Sequence, residues 1–125
     1  MVTWGDPNAG GDSSSVSSQL SSGVTEIFST NSGFAALKSD GSVVTWGHPS
    51  NGGDSSSISS ALSSGVSEIF SSDRAFAALK SDGSVVTWGH SDYGGDSNSV
   101  TSSLSSGVQN VYSSSKAFAV IDNDG

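Results

Sequence analysis

Short runs of apolar and polar residues return at a fixed interval along the chain. The most regular run is Val-Val-Thr-Trp-Gly at residues 43–47, which follows an Asp-Gly pair and recurs at residues 85–89. β-Branched residues favour extended strands, and Asp-Gly favours a tight hairpin turn because glycine adopts positive φ without a steric penalty. The pattern therefore predicts a repeated β-hairpin whose last strand ends at a Trp-Gly pair.

Two further strands are predicted before the last strand of each unit. In the first complete unit they cover residues 23–29 and residues 33–39, and the second run is apolar at consecutive positions. Apolar residues on both faces of a strand indicate burial on both sides. Because the connections are short, the three strands are expected to form an antiparallel meander.

A serine-rich segment, residues 12–22, lies before the first strand of the unit. Asp12 is a favourable N-cap, Val16 and Leu20 are four positions apart, and Gly23 is a residue type that commonly follows a helix. We predict a short amphipathic helix here. An irregular loop and a short outer strand are the alternatives, because serine is a mediocre helix former.

The interval of 42 residues holds from one end of the chain to the other, as Trp4, Trp46 and Trp88 show. Three such intervals nearly equal the chain length of 125 residues. We therefore predict one all-β repeat domain over residues 1–125. Its three units cover about 1–41, 42–83 and 84–125, each a three-stranded meander plus a short helix or loop, with residues 2–5 completing the sheet of the last unit.

The two ends of the sequence carry the two parts of one hairpin. Asp124 and Gly125 match the Asp-Gly turn, and residues 2–5 match the strand that follows it. Pairing of the N- and C-terminal strands would remove open sheet edges. Within one chain this gives a three-fold, β-prism-like monomer. Between two chains it gives a homodimer that forms a propeller-like ring of six sheets with two-fold symmetry.

Charge and composition narrow the range of partners. Twelve acidic and four basic side chains give a net charge of −8, which argues against binding to nucleic acid or to an acidic membrane surface. No apolar stretch approaches the ~20 residues of a membrane-spanning helix. Cysteine is absent, which excludes disulfides and thiolate metal sites but determines no localisation.

Two interpretations exist for the repeated tryptophan and aspartate positions. In a carbohydrate-binding, lectin-like domain the indoles would stack on sugar rings while the carboxylates hold hydroxyl groups. In the structural interpretation, which we favour, the indoles are core anchors and the carboxylates are helix caps. The candidate ligand-binding residues of this set are Trp4, Trp46, Trp88, Asp12, Asp54 and Asp96.

Metal binding and catalysis have weaker sequence support. His48 and His90 occupy equivalent positions, and Asp6 stands in that place in the first unit. A His/His/Asp set around a three-fold axis would suit a metal ion, whereas exposed loop histidines are the favoured interpretation. The chain has no Gly-x-Ser-x-Gly motif and no glycine-rich phosphate loop. We expect no enzyme activity, no cofactor and no resident metal.

The sequence Phe-Ala-Ala-Leu-Lys-Ser-Asp-Gly-Ser-Val-Val-Thr-Trp-Gly, followed by Gly-Gly and Gly-Val-x-x-Ile, resembles the blade repeat of the RCC1-like (regulator of chromosome condensation) family. The resemblance covers all three units, at residues 35–47, 77–89, and 117–125 together with 2–5. It implies that each unit is a blade of a β-propeller, and that strands from the two termini close the ring. Only the structural Trp-Gly and Asp-Gly positions are carried over.

The predicted function is that of a non-catalytic repeat scaffold or protein-interaction module. The segments at residues 6–11, 48–53 and 90–95 vary in sequence while the frame around them stays constant. This distribution is typical of a rigid scaffold that presents recognition loops to a protein partner. A lectin-like domain with three related glycan sites is the alternative.

Overall fold

A computed structural model describes residues 1–123 as an all-β chain with short 3-10 helices. Three runs of strands follow one another along the sequence, and the longest connections lie between the runs. The strands are β1 Val24–Ser29, β2 Gly33–Lys38, β3 Val43–Gly47, β4 Val66–Ser71, β5 Ala75–Lys80, β6 Val85–Gly89, β7 Val108–Ser113 and β8 Phe118–Asp122.

The strands form three antiparallel sheets. Sheet one has the order β1-β2-β3 and sheet two has the order β4-β5-β6, so both are meanders as predicted. Equivalent residues pair in both, with Phe34 opposite Trp46 and Phe76 opposite Trp88. Sheet three contains β7 and β8. The all-β repeat architecture is confirmed.

The serine-rich connections are irregular rather than α-helical. Within residues 1–123 the helical segments are all of the 3-10 type, and each connection contains two of them. Val16 is half-buried and Leu20 is buried, so the predicted apolar face exists. Serine competes for backbone hydrogen bonds and favours turns over a continuous helix. The segments are Pro7–Ala9, Ser14–Val16, Pro49–Asn51, Ser56–Ile58, Ser91–Tyr93 and Asn98–Leu104.

The three sheets pack face to face in chain order. Ala35 and Leu37 of sheet one share a buried cluster with Ile69 and Trp88 of sheet two. The opposite face of sheet two packs on sheet three through a second cluster, which includes Ala77, Leu79, Val85, Val108 and Val111. The alanines of β2 and β5 are fully buried and let the neighbouring sheets approach closely. Alternation along the middle strands β2 and β5 thus supplies two buried faces, as their doubly apolar pattern predicts.

Closure within one chain is not observed. Residues 2–5 form no strand, and Trp4 is 84% exposed. Thr3 instead contacts the segment that follows it in the chain. Its hydroxyl donates to the Gly11 carbonyl at 3.3 Å and lies 2.9 Å from the Ser13 hydroxyl. Sheet two separates sheets one and three, so the three-fold, β-prism-like monomer does not form. The predicted turn at Asp124 and Gly125 lies outside the described residues.

Candidate functional site

Three loops with the same backbone occupy equivalent positions in the three units, and we call residues 6–11, 48–53 and 90–95 the loop rim. Each loop opens with an extended residue and a 3-10 helix, then ends at a glycine with φ near +100°. Gly10, Gly52 and Gly94 have φ values of 101°, 101° and 97°. The side chains between these fixed points vary, as the sequence predicts: they are Pro-Asn-Ala, Pro-Ser-Asn and Ser-Asp-Tyr, with proline shared by the first two loops.

Asp6, His48 and His90 perform the same structural task. The Oδ1 atom of Asp6 accepts a hydrogen bond from the amide two residues later at 2.9 Å. The Nδ1 atoms of His48 and His90 accept equivalent bonds from Ser50 and Asp92 at 3.2 Å. Aspartate and histidine exchange at this position because each offers an acceptor atom at a similar distance from its backbone.

The same three residues do not converge on a metal ion. Within residues 1–123, no group of three or more His, Cys, Asp or Glu side chains is arranged to hold one. Each residue belongs to a different loop and is engaged in its own turn. The structure therefore favours loop-capping roles for Asp6, His48 and His90 over a shared metal site.

Trp46 and Trp88 lie in the core, with 4% and 3% of their surface exposed. Each indole stacks on a phenylalanine of the adjacent strand, with ring centroids 5.3 Å apart for Phe34 and 5.2 Å apart for Phe76. Each also donates its N–H to a loop carbonyl, at 3.1 Å. Two of the three indoles are therefore inaccessible to a sugar ring in this structure.

Asp12, Asp54 and Asp96 are exposed and start the serine-rich connections. Their Oδ1 atoms accept hydrogen bonds from the amides of Ser14, Ser56 and Asn98 at 2.9–3.0 Å. Ser14, through its side chain and its amide, lowers the pKa of the Asp12 carboxyl. Ser56 lowers the pKa of Asp54 in the same way. These carboxylates initiate turns, as the capping interpretation predicts, although no α-helix follows them.

An aromatic and cationic group on the third loop was missed by sequence reasoning. The guanidinium carbon of Arg74 lies 5.1 Å from the centre of the Tyr93 ring, and the Lys116 ammonium nitrogen lies 5.8 Å from it. The His90 ring meets Tyr93 edge-on at a centroid distance of 5.1 Å. We call these four residues the Tyr93 cluster. The available signal was that Tyr93 replaces Ala9 and Asn51 at the equivalent loop positions.

The loop and the turn that carries Arg74 are joined by hydrogen bonds. The amide of His90 donates to the Arg74 carbonyl at 2.9 Å, and the buried Ser72 hydroxyl donates to the Tyr93 carbonyl at 2.7 Å. Arg74 and Tyr93 are each half-buried, whereas Lys116 is exposed. These bonds hold the loop that carries the aromatic ring beside two cations of an acidic protein.

The other two cationic side chains are bound to main-chain carbonyls. Lys38 donates to the carbonyl of Gln19, and Lys80 donates to the carbonyl of Ala61 at 2.6 Å. The half-buried Arg74 and the exposed Lys116 therefore form a positive region of the described chain around one aromatic ring. This arrangement suits a carboxylate that approaches the rim from solvent.

Comparison with known proteins adds no family to this description. A scan against protein-family models gives no match, and a search of curated proteins finds no match either. Within residues 1–123, the helices are too short and too polar to cross a membrane.

Proposed function

We propose that this chain is a non-catalytic, RCC1-like repeat scaffold that presents the loop rim to a protein partner. The observation that carries the proposal is the constancy of the loop backbone beside the variation of its side chains. The N-terminal residues of the three loops, Asp6, His48 and His90, have φ/ψ values of −61°/119°, −64°/123° and −69°/126°. A rigid frame with variable side chains is typical of a binding scaffold.

The Tyr93 cluster indicates the chemistry of that partner. Tyrosine and arginine are the residue types that most often dominate the energy of protein interfaces. Here the tyrosine ring offers apolar area, and Arg74 and Lys116 offer charge-assisted hydrogen-bond donors beside it. The partner is therefore an extended acidic segment with a carboxylate placed near the ring.

The net charge of the chain acts against this partner at long range. A charge of −8 repels an acidic peptide, whereas the local field at Arg74 and Lys116 attracts it. At physiological ionic strength the screening length is about 8 Å, so distant carboxylates are largely screened while contacts at the cluster persist. Binding should consequently be measured near 0.15 M salt.

Fluorescence anisotropy with labelled peptides tests the proposal. We compare a glutamate-rich peptide, a lysine-rich peptide and an uncharged peptide of equal length. The wild-type chain is expected to bind the glutamate-rich peptide alone. Tyr93→Ala and Arg74→Ser should each weaken that binding by about tenfold, in line with the loss of an interface anchor.

The repeat supplies a matched control for this measurement. Asn51→Ala truncates the side chain at the equivalent position of the second loop and should leave binding within about twofold. A wild-type chain that binds none of the three peptides contradicts recognition of an acidic segment. Equal loss in Asn51→Ala and Tyr93→Ala contradicts the assignment to the Tyr93 cluster.

A further inference from the structure

Exposed large apolar side chains mark two ends of the row of sheets. Ile27 belongs to the outer face of sheet one and is 44% exposed, whereas Tyr112 and Ile121 belong to the outer face of sheet three and are 52% and 45% exposed. Exposed patches of this kind indicate interaction surfaces. The full set within residues 1–123 is Met1, Val2, Trp4, Ile27, Val100, Tyr112 and Ile121.

The two outer faces are complementary because of the repeat. Tyr112 and Ile121 occupy the positions of Phe28 and Leu37, which pack against sheet two in the first internal interface. Ile27 occupies the position of Ile69, which receives those residues and is 3% exposed. The outer face of sheet three therefore resembles the face of sheet one that packs on sheet two. The outer face of sheet one resembles the face of sheet two that receives it. The two outer faces could pack together in the same way.

Sheet three also lacks a strand that the other sheets possess. β8 pairs with β7 along one edge, and no strand within residues 1–123 pairs with its other edge. In sheet one the third strand places Trp46 opposite Phe34 and Thr45 opposite Ala35. The same register would place a Met-Val-Thr-Trp-Gly segment along β8, with the tryptophan opposite Phe118.

A groove of about 400 Å³ lies beside this edge of β8. Phe118, Val120, Leu104 and Gly94 line it, as does the exposed Val100. Gly94 leaves no room for a Cβ atom beside the Phe118 ring, as Gly10 leaves none beside the Phe34 ring. The Gly10 carbonyl is the acceptor of the Trp46 indole N–H. The groove therefore contains a phenylalanine ring and a glycine carbonyl equivalent to those that contact Trp46 in sheet one and Trp88 in sheet two.

Segment 1–5 has the sequence and the local contacts of that missing strand. The Thr3 hydroxyl lies 3.3 Å from the Gly11 carbonyl and 2.9 Å from the Ser13 hydroxyl. Thr45 makes both contacts at the same distances in a complete sheet. Segment 1–5 is thus held as a third strand would be, and its indole is exposed.

We propose that a second copy of this chain supplies residues 1–5 as the third strand of sheet three. Trp4 of each copy stacks on Phe118 of the other and donates its N–H to the carbonyl of Gly94, as Trp46 and Trp88 do to Gly10 and Gly52. Two such junctions close a ring of six sheets. Six sheets lie within the range of four to eight blades that is typical of propellers.

Two further hydrogen bonds extend the internal pattern across the junction. The amide of Asn31 donates to the main-chain carbonyl of Asp73, and the amide of Asp73 donates to the main-chain carbonyl of Ser115. In the dimer, the amide of Ser115 donates to the main-chain carbonyl of Asn31 of the second copy. The hydroxyls of Thr30 and Ser72 donate to the main-chain carbonyls of Asn51 and Tyr93 at 2.7 Å. In the dimer, the hydroxyl of Ser114 donates to the main-chain carbonyl of Ala9 of the second copy. This junction does not depend on the peptide-binding role of the loop rim.

Light scattering combined with tryptophan fluorescence tests the junction. The wild-type chain is expected to show twice the 12.5 kDa chain mass at micromolar concentration and the single mass on dilution. Because Trp4 becomes buried on assembly, its emission should shift to shorter wavelength over the same concentration range. Trp4→Ala should raise the dimer dissociation constant by about thirtyfold or more, as expected for a buried aromatic anchor.

Mixing two variants provides the sharpest test. Ile121→Asp damages the receiving face, and Trp4→Ala damages the inserted strand, so each variant alone should be monomeric. An equimolar mixture retains one intact junction and should regain the mass of a dimer. Ser64→Asp introduces the same charge at an exposed position away from both ends and should leave the dimer unchanged.

Several results would overturn the proposal. A wild-type mass of one chain at every concentration excludes the junction, and a mass of three or more chains excludes the two-copy ring. A mixture that stays monomeric while both variants retain the wild-type circular dichroism spectrum excludes strand insertion. Dimers of Trp4→Ala with undiminished affinity place the interface elsewhere on the chain.

Discussion

Trp88 donates its indole N–H to the carbonyl oxygen of Gly52, 36 residues earlier in the chain, at 3.1 Å. Trp88 ends the last strand of sheet two, whereas Gly52 lies in the loop that arrives from sheet one. Trp46 makes the same bond to Gly10. One buried hydrogen bond thus ties the outer strand of each complete sheet to the loop that precedes that sheet.

Trp88→Ala should lower the free energy of unfolding by about 3–5 kcal/mol, because it removes a buried indole and leaves the Gly52 carbonyl without its donor. Trp88→Phe keeps an aromatic ring against Phe76 and loses the donor, so the smaller cost of about 1–3 kcal/mol is expected. Denaturant unfolding followed by circular dichroism measures both.

The control for this series is Trp4→Ala, studied at a concentration where the chain is monomeric. The Trp4 indole is 84% exposed, so its removal should change the free energy of unfolding by less than about 0.5 kcal/mol. Equal costs at Trp4 and Trp88 would contradict the difference in burial between these equivalent residues.

Gly52→Ala should be more destabilising than Gly5→Ala. Both glycines have φ above +100°, a conformation that costs an alanine about 1–2 kcal/mol. A Cβ atom at Gly52 would lie 2.5 Å from the Phe76 ring, whereas a Cβ atom at Gly5 would meet nothing within 4 Å. The difference between the two free energies of unfolding, about 1–3 kcal/mol, measures the steric clash alone. Equal costs would show that Phe76 moves aside without loss.

The stability of the protein should fall as the pH is lowered below about 4. The Ser42 hydroxyl, at 2.6 Å, and the Ser42 amide, at 3.0 Å, donate to Asp40 and lower the pKa of that carboxyl. Ser84 lowers the pKa of Asp82 in the same way. Because the folded pKa is depressed, the stabilisation is complete above the unfolded pKa and is lost as the pH falls through the folded value.

Unfolding curves at pH 5, 4, 3 and 2 measure this dependence. Replacing both carboxyls, in Asp40→Asn with Asp82→Asn, should flatten the decline in the free energy of unfolding over this range. Removing the two hydroxyl donors, in Ser42→Ala with Ser84→Ala, should flatten it partly, since the hydroxyl bonds are lost while the amides of residues 42 and 84 still donate to the carboxylates. Wild-type slopes in both double variants would assign the acid sensitivity to other groups.

The local elements of this fold follow from residues that are close together in sequence. Asp40 accepts bonds from Ser42 at the predicted hairpin turn, and Gly41 has the positive φ that the turn requires. The β-branched run after it pairs antiparallel with β2, as the predicted meander requires. The conformation of the serine-rich connection was harder to predict from the sequence, because an α-helix and a series of turns both accommodate its capping aspartate and its apolar spacing.

The candidate site was predicted in part. The loop boundaries and their variability were visible in the sequence, and so were the equivalent positions of Asp6, His48 and His90. The Tyr93 cluster was not visible, because Arg74 and Lys116 come from turns of two different sheets and meet Tyr93 only after those sheets pack. The same reason explains why the burial of Trp46 and Trp88 required the tertiary structure.

The sequence by itself determined the repeat, the strands and the turns, because strand alternation, β-branching and glycine at positive φ act within a few residues. Tertiary structure alone decided what the equivalent tryptophans do. Trp46 and Trp88 are covered because a preceding loop and a paired strand surround them, whereas Trp4 has the same sequence context and stays exposed. Burial depends on neighbours that are distant along the chain. Equivalent positions of a repeated sequence therefore look alike in sequence, although only some of them have those neighbours in the fold.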